Sequence, residues 1–352
     1  MHSLDQLLFS VIIPTRERPA LFGVALKSVI QQRFQGFEVI VVIDGPSEEH
    51  ARTYREILAT AAAPVRMFTL FHRELGHGPS YVRNYGAAQA RGKYLCFLDD
   101  DDEWTEPEYL TQAAAIISAS VFPVDLILAN QRAFAQGVPV PGVTWIEDLQ
   151  DRLRTEPDSA CAYTVKLTQL LQCQAHCHLN TTITSLDFFL GLGGLDEGLR
   201  YEEDRDFYLR AIDHARIIKF LPWIVSRHNI PDIGNKENTS TGISTLAKRL
   251  YQLRLFDKAV LFSTHPELRR YAMRQRAYTL KHIAIEAARM GCSECASYYA
   301  RQAFIAKPTP AWLAASGLLT LRRLWESRGT RAADRRRTPP LDDTKLMREP
   351  GQ

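Results

Sequence analysis

Two textures alternate along the first 130 residues. Short apolar runs rich in β-branched residues are separated by stretches whose apolar positions recur three and four residues apart. Phe9 to Ile13 is the first run and Phe37 to Ile43 (FEVIVVI) the second; Val65 to Phe71, Lys93 to Leu98 and Val124 to Ala129 follow. Between the first two, Leu21, Val24, Ala25, Ser28 and Val29 mark one face of a helix over Ala20 to Gln32. Further helices are predicted over about residues 47–61, 77–91 and 106–120, with Ser47 placed to cap the first of these. Runs that are apolar throughout are buried on both faces, the pattern of parallel strands covered by helices on either side. The expected fold class is therefore α/β with a mostly parallel central sheet. In such sheets ligands sit beyond the carboxyl ends of the strands. Chemistry is sought at Pro14-Thr15-Arg16, at Asp44-Gly45 and at Asp99 to Asp102.

The texture degrades from Gln131 to Leu179, where Pro139, Pro141 and Pro157 interrupt it and one helix is expected near residues 165–172. A strand over Thr181 to Ser185, a glycine-rich loop from Gly191 to Gly198, a helix from Tyr201 to His214 and one or two strands from Ile217 to Arg227 follow. Asn229 to Ile243 is polar and reads as a mobile loop. Residues 244–328 look helical throughout, with a helical hairpin from Arg276 to Ala306 turned at Gly291-Cys292. After Gly329 there is almost nothing apolar, so disorder is expected. The domain reading is a first domain over 1–243 (halves 1–130 and 131–243), a C-terminal helical extension over 244–328 and a tail over 329–352.

Charge and composition narrow the function classes. In 352 residues, Lys plus Arg is 43 and Asp plus Glu is 40, a net charge of +3. That balance argues against a nucleic-acid-seeking protein. No apolar run approaches the ~18 residues of a membrane-spanning helix. The start lacks a basic n-region and carries Asp5, so a cytoplasmic protein is expected. The six cysteines are sparse. Neither the cluster Cys173, His176, Cys177, His178 nor the pair Cys292, Cys295 has the two paired knuckles of a structural zinc site, so reduced thiols are expected.

The strongest local feature is Asp99-Asp100-Asp101-Asp102 at the end of a buried run. At ~5 Å and an effective dielectric of ~20, each like-charge pair repels by on the order of 3 kcal/mol. An oxygen-loving divalent cation, Mg²⁺ or Mn²⁺, removes that cost. On an extended backbone Asp99 and Asp101 project to one side and Asp100 to the other. Asp44, ending another strand, is a candidate for recognising a base or ribose. Arg83, early in a helix, can clamp a diphosphate or pair with the aspartates. Glu203-Asp204 opens a helix after the glycine-rich loop, where a carboxylate can point into a cleft, and His228 closes the last strand.

In order, SVIIPTR from Ser10, VVIDG from Val41, VRNYG from Val82, YLCFLDDDDEW from Tyr94, GGLDE from Gly193 and Glu203-Asp204 resemble the family 2 glycosyltransferases of the GT-A fold, over roughly residues 8–230. The resemblance implies a nucleotide-binding sheet joined to an acceptor-binding part. It also implies metal-dependent transfer of a sugar from a nucleotide-sugar, UDP-linked, with inversion. Asp44 matches the aspartate that reads the base, and Pro14, Thr15 and Arg16 the loop under the nucleoside. Asp99 and Asp101 match the ends of the DxD motif, with Asp101 nearest the Mn²⁺ or Mg²⁺ ion; Asp100 and Arg83 belong with the donor contacts. Asp204 matches the general base, and His228 a histidine that reaches the metal or diphosphate. Arg16-Glu17 stands where the family has tyrosine-asparagine, and the Q-x-x-R-W run of processive synthases is absent, which favours single-sugar transfer.

Two rival readings are a sugar nucleotidyltransferase and a nucleotide-sugar-binding protein without transfer activity. The first wants a glycine-rich loop where this chain has Pro14-Thr15-Arg16-Glu17-Arg18, and the second leaves the carboxylates unexplained. The expected partners are a nucleotide-sugar and a glycan or lipid-linked acceptor. Trp312, Leu313, Leu318, Leu319, Leu321, Leu324 and Trp325 beside Arg322, Arg323 and Arg328 leave two readings for the C-terminal helices: packing within their own helical domain, or peripheral contact with the inner face of a membrane.

Overall fold

The apolar runs of the first hundred residues become the heart of a ten-stranded sheet in the computed structural model, which describes residues 7–61, 64–142, 144–230 and 239–337. The strands are β1 (Phe9–Thr15), β2 (Phe37–Ile43), β3 (Val65–Thr69), β4 (Tyr94–Phe97), β5 (Glu103–Trp104), β6 (Leu126–Ala135), β7 (Val138–Pro139), β8 (Tyr163–Val165), β9 (Thr182–Ser185) and β10 (Ile218–Ile230). Their order is β3-β2-β1-β4-β9-β6-β10-β5, with β7 on β6 and β8 on β10. The pairs β3–β2, β2–β1, β1–β4 and β6–β10 are parallel. Antiparallel β9 joins the two parallel blocks through β4 and β6.

Alternation along the central strands feeds two cores. Val11, Ile13, Val39 and Val41 pack with Phe22, Val29 and Tyr54 on one face. Ile12, Ile40 and Val42 pack with Val82, Phe97, Phe189 and Phe207 on the other. Every residue of β2 is buried, as a continuously apolar run requires. Where β4 is drawn against β1, a Cβ at Gly92 would lie 2.5 Å from the Phe9 carbonyl carbon. No side chain fits there, and the Gly92 N–H instead donates to Ser10 Oγ at 2.9 Å. This contact holds the register that brings the ends of β1 and β4 together.

Several elements differ from the pattern reading. β6 continues to Ala135 because its polar end, NQRAFA, pairs with β10, a single bulged strand that runs three residues past the expected end at Arg227. A six-residue helix, Leu186–Gly191, precedes the glycine-rich turn and was not expected; Ser185 Oγ caps it by accepting from the Phe188 N–H. The chain divides into two compact units, Met1–Ser244 with Arg254–Ala272, and Thr245–Leu253 with Met273–Gln352. Leu255, Phe256, Leu268 and Ala272 thus belong to the first unit's core, although the helical extension was expected to begin at residue 244.

In the second unit the hairpin turns at Gly291 (φ 78°) into the helix Ser293–Ala306. The helix Pro310–Arg337 runs on past Gly329, into the tail that was expected to be disordered. Residues 338–352, and 231–238 of the expected mobile loop, lie outside the described residues. Cys292 and Cys295 form a disulfide, in place of the free thiols expected; their spacing of three residues across the start of a helix allows it. Among the described residues no helix is long and apolar enough to cross a membrane.

Candidate active site

The carboxyl ends of β1, β2 and β4 open into a cavity of about 440 Å³ within the first unit. Pro14, Thr15, Arg16, Asp44, Arg83, Asp99, Asp100, Asp101, Asp204 and His228 all line it, whereas Gly45 and Asp102, from the same stretches of sequence, do not.

The four aspartates divide by role. The Asp102 N–H donates to the Asp99 carbonyl at 3.1 Å, so the segment is a turn rather than an extended strand. The turn brings carboxylate oxygens of Asp99, Asp101 and Asp102 within 4.8 Å of one another. Strict alternation would have sent Asp102 to the other side with Asp100. Asp100 and Asp102 are each 1% exposed; Asp100 accepts from Thr15 Oγ1 at 2.7 Å and pairs with Arg18. Burial lifts its pKa to about 7 against the pull of Arg18. Asp100 therefore sits in the cavity wall with its carboxylate committed to fastening β1's end to the aspartate turn. Asp101 pairs with Arg18 at 2.9 Å.

Asp102 accepts from His228 Nδ1 and from the Asn229 N–H, both at 2.7 Å, and from Asn180 Nδ2 at 2.5 Å. Burial raises its pKa although His228 opposes the shift. His228 is itself lowered by burial, but the Asp102 carboxylate carries it upward overall. With Nδ1 engaged by Asp102, Nε2 is the nitrogen left for a ligand, a carboxylate–histidine arrangement familiar behind metal ions. Three clustered carboxylates, all oxygen donors, fit Mg²⁺ or Mn²⁺.

Arg83, from the helix Pro79–Ala88, is buried between Asp99 and Glu203, the latter at 3.0 Å. Its burial is outweighed by Asp99 and Glu203, which push its pKa up, so it stays charged. Asp99 is raised by burial but pulled below the ordinary range by Arg83, His178 and His228. Burial lifts Glu203 to about 7, against Arg83 and with help from the Asp204 charge. Arg83 thus links the aspartate turn to the start of the helix Glu203–His214.

Asp44 is buried just past β2. The His77 N–H donates to its two oxygens at 3.1 and 2.9 Å, and His77 Nδ1 lies 2.5 Å from Oδ1. His77 stacks on Tyr81, ring centroids 5.1 Å apart. A Cβ at Gly76 would come within 2.5 Å of Asp44 Oδ2, so this approach needs glycine. Arg16 donates to the Arg73 and Glu74 carbonyls (3.1 and 2.7 Å), and Arg200 to those of Leu75 and Gly76 (3.0 and 3.3 Å). The two arginines pin the loop beside Asp44.

Asp204 is the second residue of its helix, entered through Glu202 in the left-handed region at φ 66°. Its Oδ1 accepts from the Arg205 N–H at 2.7 Å, and its Oδ2 meets His176 Nε2 at 3.1 Å and His178 Nε2 at 3.8 Å. Burial raises the Asp204 pKa, but His176, then His178 and the Arg205 N–H, hold it well below the usual carboxylate range. The His178 ring lies 5.3 Å from that of His228, which meets Trp145 edge-on, also at 5.3 Å. Sequence reading noted Asp102 within the acidic run and His176 and His178 beside Cys177 but gave none of the three a place in the site, and it passed over His77 and Trp145. The alternation His176-Cys177-His178 was the available signal: Cys177 is buried, and the two histidines reach the cavity.

Comparison with known proteins agrees with this geometry. The family model "Glycosyl transferase family 2" matches residues 10–134. An uncharacterized glycosyltransferase of Haemophilus influenzae is 26% identical over 225 residues, 62% of this chain and 66% of the relative. The GalNAc(5)-diNAcBac-PP-undecaprenol beta-1,3-glucosyltransferase of Campylobacter jejuni is 35% identical over 94 residues, 27% of this chain and 29% of the relative. The chain therefore spans less than two thirds of the length of either relative. Among solved structures, S. aureus TarS 1–349 in complex with UDP-GlcNAc superposes with a TM-score of 0.62 at 20% identity, covering 86% of this chain and 82% of TarS. The mannosyltransferase PcManGT from Pyrobaculum calidifontis, in complex with GDP-Man and Mn²⁺, gives 0.57 at 16% identity, covering 92% and 84%. These likenesses establish the fold as that of the GT-A glycosyltransferases. Residues 10–134, which carry β1, β2, β4 and the aspartate turn, are thus the part of the chain that resembles glycosyl transferase family 2.

Proposed function

We propose that the chain transfers a single sugar from a nucleotide-sugar, UDP-linked, to a hydroxyl of a glycan or lipid-linked acceptor, with inversion at the anomeric carbon. The observation that carries this reading is that Asp44, the aspartate turn and Asp204 share one cavity. Asp44, held by His77, accepts from the N–H of the base. Pro14 and Thr15 floor the nucleoside site. Asp99, Asp101 and Asp102 would hold Mn²⁺ or Mg²⁺, with His228 Nε2 beside them, and the ion when bound supplies charge neutralisation for the departing diphosphate. Asp204 takes the proton of the acceptor hydroxyl as that oxygen attacks the anomeric carbon and the bond to the diphosphate breaks. TarS with UDP-GlcNAc and PcManGT with GDP-Man and Mn²⁺ support the donor and ion classes, and the undecaprenol named for the C. jejuni relative supports a lipid-linked acceptor.

A panel of UDP- and GDP-sugars with Mn²⁺ tests the reading by release of the nucleoside diphosphate. Release from a UDP-sugar, increased by acceptor, is expected. A donor that raises the melting temperature yet is never cleaved would make the chain a binding protein, and release of pyrophosphate from a nucleoside triphosphate and a sugar phosphate would make it a nucleotidyltransferase.

We place the protein in the cytoplasm, in contact with the inner face of a membrane. On the helix Pro310–Arg337, Leu318, Leu321, Leu324 and Trp325 are between 52% and 77% exposed, and Arg322 and Arg323 lie among them in sequence. Apolar side chains flanked by arginine suit an anionic lipid surface. The full chain is expected to float with anionic vesicles, and a chain ending at Lys307 to stay behind. Equal behaviour of the two forms would remove these residues from membrane binding.

A further inference from the structure

Asp204 is gripped at both oxygens, by different parts of the chain. Oδ1 accepts from the Arg205 N–H in the first turn of its own helix. Oδ2 meets His176 Nε2 at 3.1 Å, from the segment ahead of β9. His178 Nε2, at 3.8 Å, is beyond hydrogen-bond range. The His178 ring is oriented independently, with its Nδ1 accepting from the Asn180 N–H at 3.3 Å. His176 is thus the hydrogen-bond partner that ties the Asp204 carboxylate to a second element. Both side chains reach the cavity, at 21% and 20% exposure.

The last torsion of an aspartate is broad and two-fold, so one hydrogen bond does not fix the plane of its carboxylate. A base has to be held within ~0.5 Å and 10–20° of its working geometry. An ionised carboxylate offers about four lone-pair sites. The Arg205 N–H and His176 occupy two, one on each oxygen, which sets the plane and leaves the remaining lone pairs for a hydroxyl. A metal role is disfavoured by placement: the close set of ligand atoms among the described residues is Asp99, Asp101 and Asp102, without His176 or His178.

We propose that His176 is the positioning residue of the base, its Nε2–H fixing Asp204 Oδ2 so that the carboxylate faces the acceptor hydroxyl. The inference rests on the reading of Asp204 as general base. In the transfer step the acceptor O–H bond breaks and its proton goes to Asp204, the acceptor oxygen bonds the anomeric carbon, and the nucleoside diphosphate leaves with the electrons of the broken bond. His176 keeps its own proton throughout. Its place as a donor agrees with the ionised state in which Asp204 is held.

His176→Phe keeps a ring and removes the N–H; His176→Gln places an amide N–H near the position of Nε2. With the release assay, kcat of the Phe variant is expected to fall roughly 10–100-fold, the scale of losing a supporting hydrogen bond behind a working group. KM for the donor is expected to stay within about two-fold, because the bond acts after donor binding. The Gln variant is expected to recover most of the loss. Adding His176→Phe to Asp204→Asn is expected to change kcat by less than about two-fold, since the two act as a unit. Melting temperatures of all variants show which are folded, and His176→Ala stands in for a Phe variant that is not. A Phe or Ala variant as fast as the wild type, or a Gln variant no better than Phe, overturns the inference. An Asp204→Asn enzyme of wild-type rate overturns the base reading instead, whatever the histidine variants do.

Discussion

Asp204→Asn is expected to lower kcat by about 10²–10⁴-fold, the usual contribution of a general base, while donor affinity stays near normal. The change is nearly isosteric. The asparagine carbonyl can still accept from the Arg205 N–H, and the amide can meet His176 once the imidazole shifts its proton to the other nitrogen. What is lost is a lone pair basic enough to take the hydroxyl proton. The donor contacts proposed above, at Asp44 and the aspartate turn, are at other residues of the same cavity, so binding of the nucleotide-sugar is not expected to report the change. One neighbour will respond: Glu203, held up at about 7 by burial and in part by the Asp204 charge, should ionise more readily in the variant. Donor titration by calorimetry together with nucleoside diphosphate release separates the two effects. A variant that turns over like the wild type would show that another group accepts the proton.

The parallel half of the sheet was legible because its strands are apolar throughout, and a strand buried on both faces leaves that mark in composition alone. That Pro14, Thr15, Asp44 and Asp99 line one cavity was legible for a related reason, since they are the polar or turn residues at the ends of such runs. What was missed depended on local geometry. The turn at residues 99–102 carries Asp102 around to Asp99 and Asp101, where alternation along a strand would separate them. Asp100 reads like its neighbours in sequence, yet its carboxylate is committed to Thr15 and Arg18. His176 and His178 sit in an irregular stretch with no period to place them, and their link to Asp204 spans 28 residues in the closer case. β6 and β10 were read too short because their outer halves are polar and hold together by ladder bonds instead of by a hydrophobic pattern. Leu255, Phe256 and Leu268 lie in helices that look continuous with the second unit, and only packing assigns them to the first.

Removing divalent cations is expected to lower transfer by about 10³-fold or more, given that charge stabilisation at such centres amounts to several kcal/mol and each 1.36 kcal/mol is tenfold in rate. Asp99, Asp101 and Asp102 bring carboxylate oxygens within 4.8 Å of one another. Arg18 and Arg83 offset part of that charge, through Asp101 and Asp99 respectively. Asp102 is relieved by His228 and the Asn229 N–H. A diphosphate arriving at the same place would add two or more negative charges to a cluster already short of cations. Asp101→Ala should therefore weaken donor binding as well as turnover, unlike Asp204→Asn, because the loss falls on the diphosphate and precedes the chemistry. Addition of Mn²⁺ or Mg²⁺ to the chelated wild-type enzyme should restore both. Calorimetric titration of the UDP-sugar into the metal-free enzyme, with and without Mn²⁺, puts the question most directly. The account predicts binding that appears with Mn²⁺ and is largely lost in excess EDTA and in Asp101→Ala; undiminished affinity and full turnover in excess EDTA would contradict it.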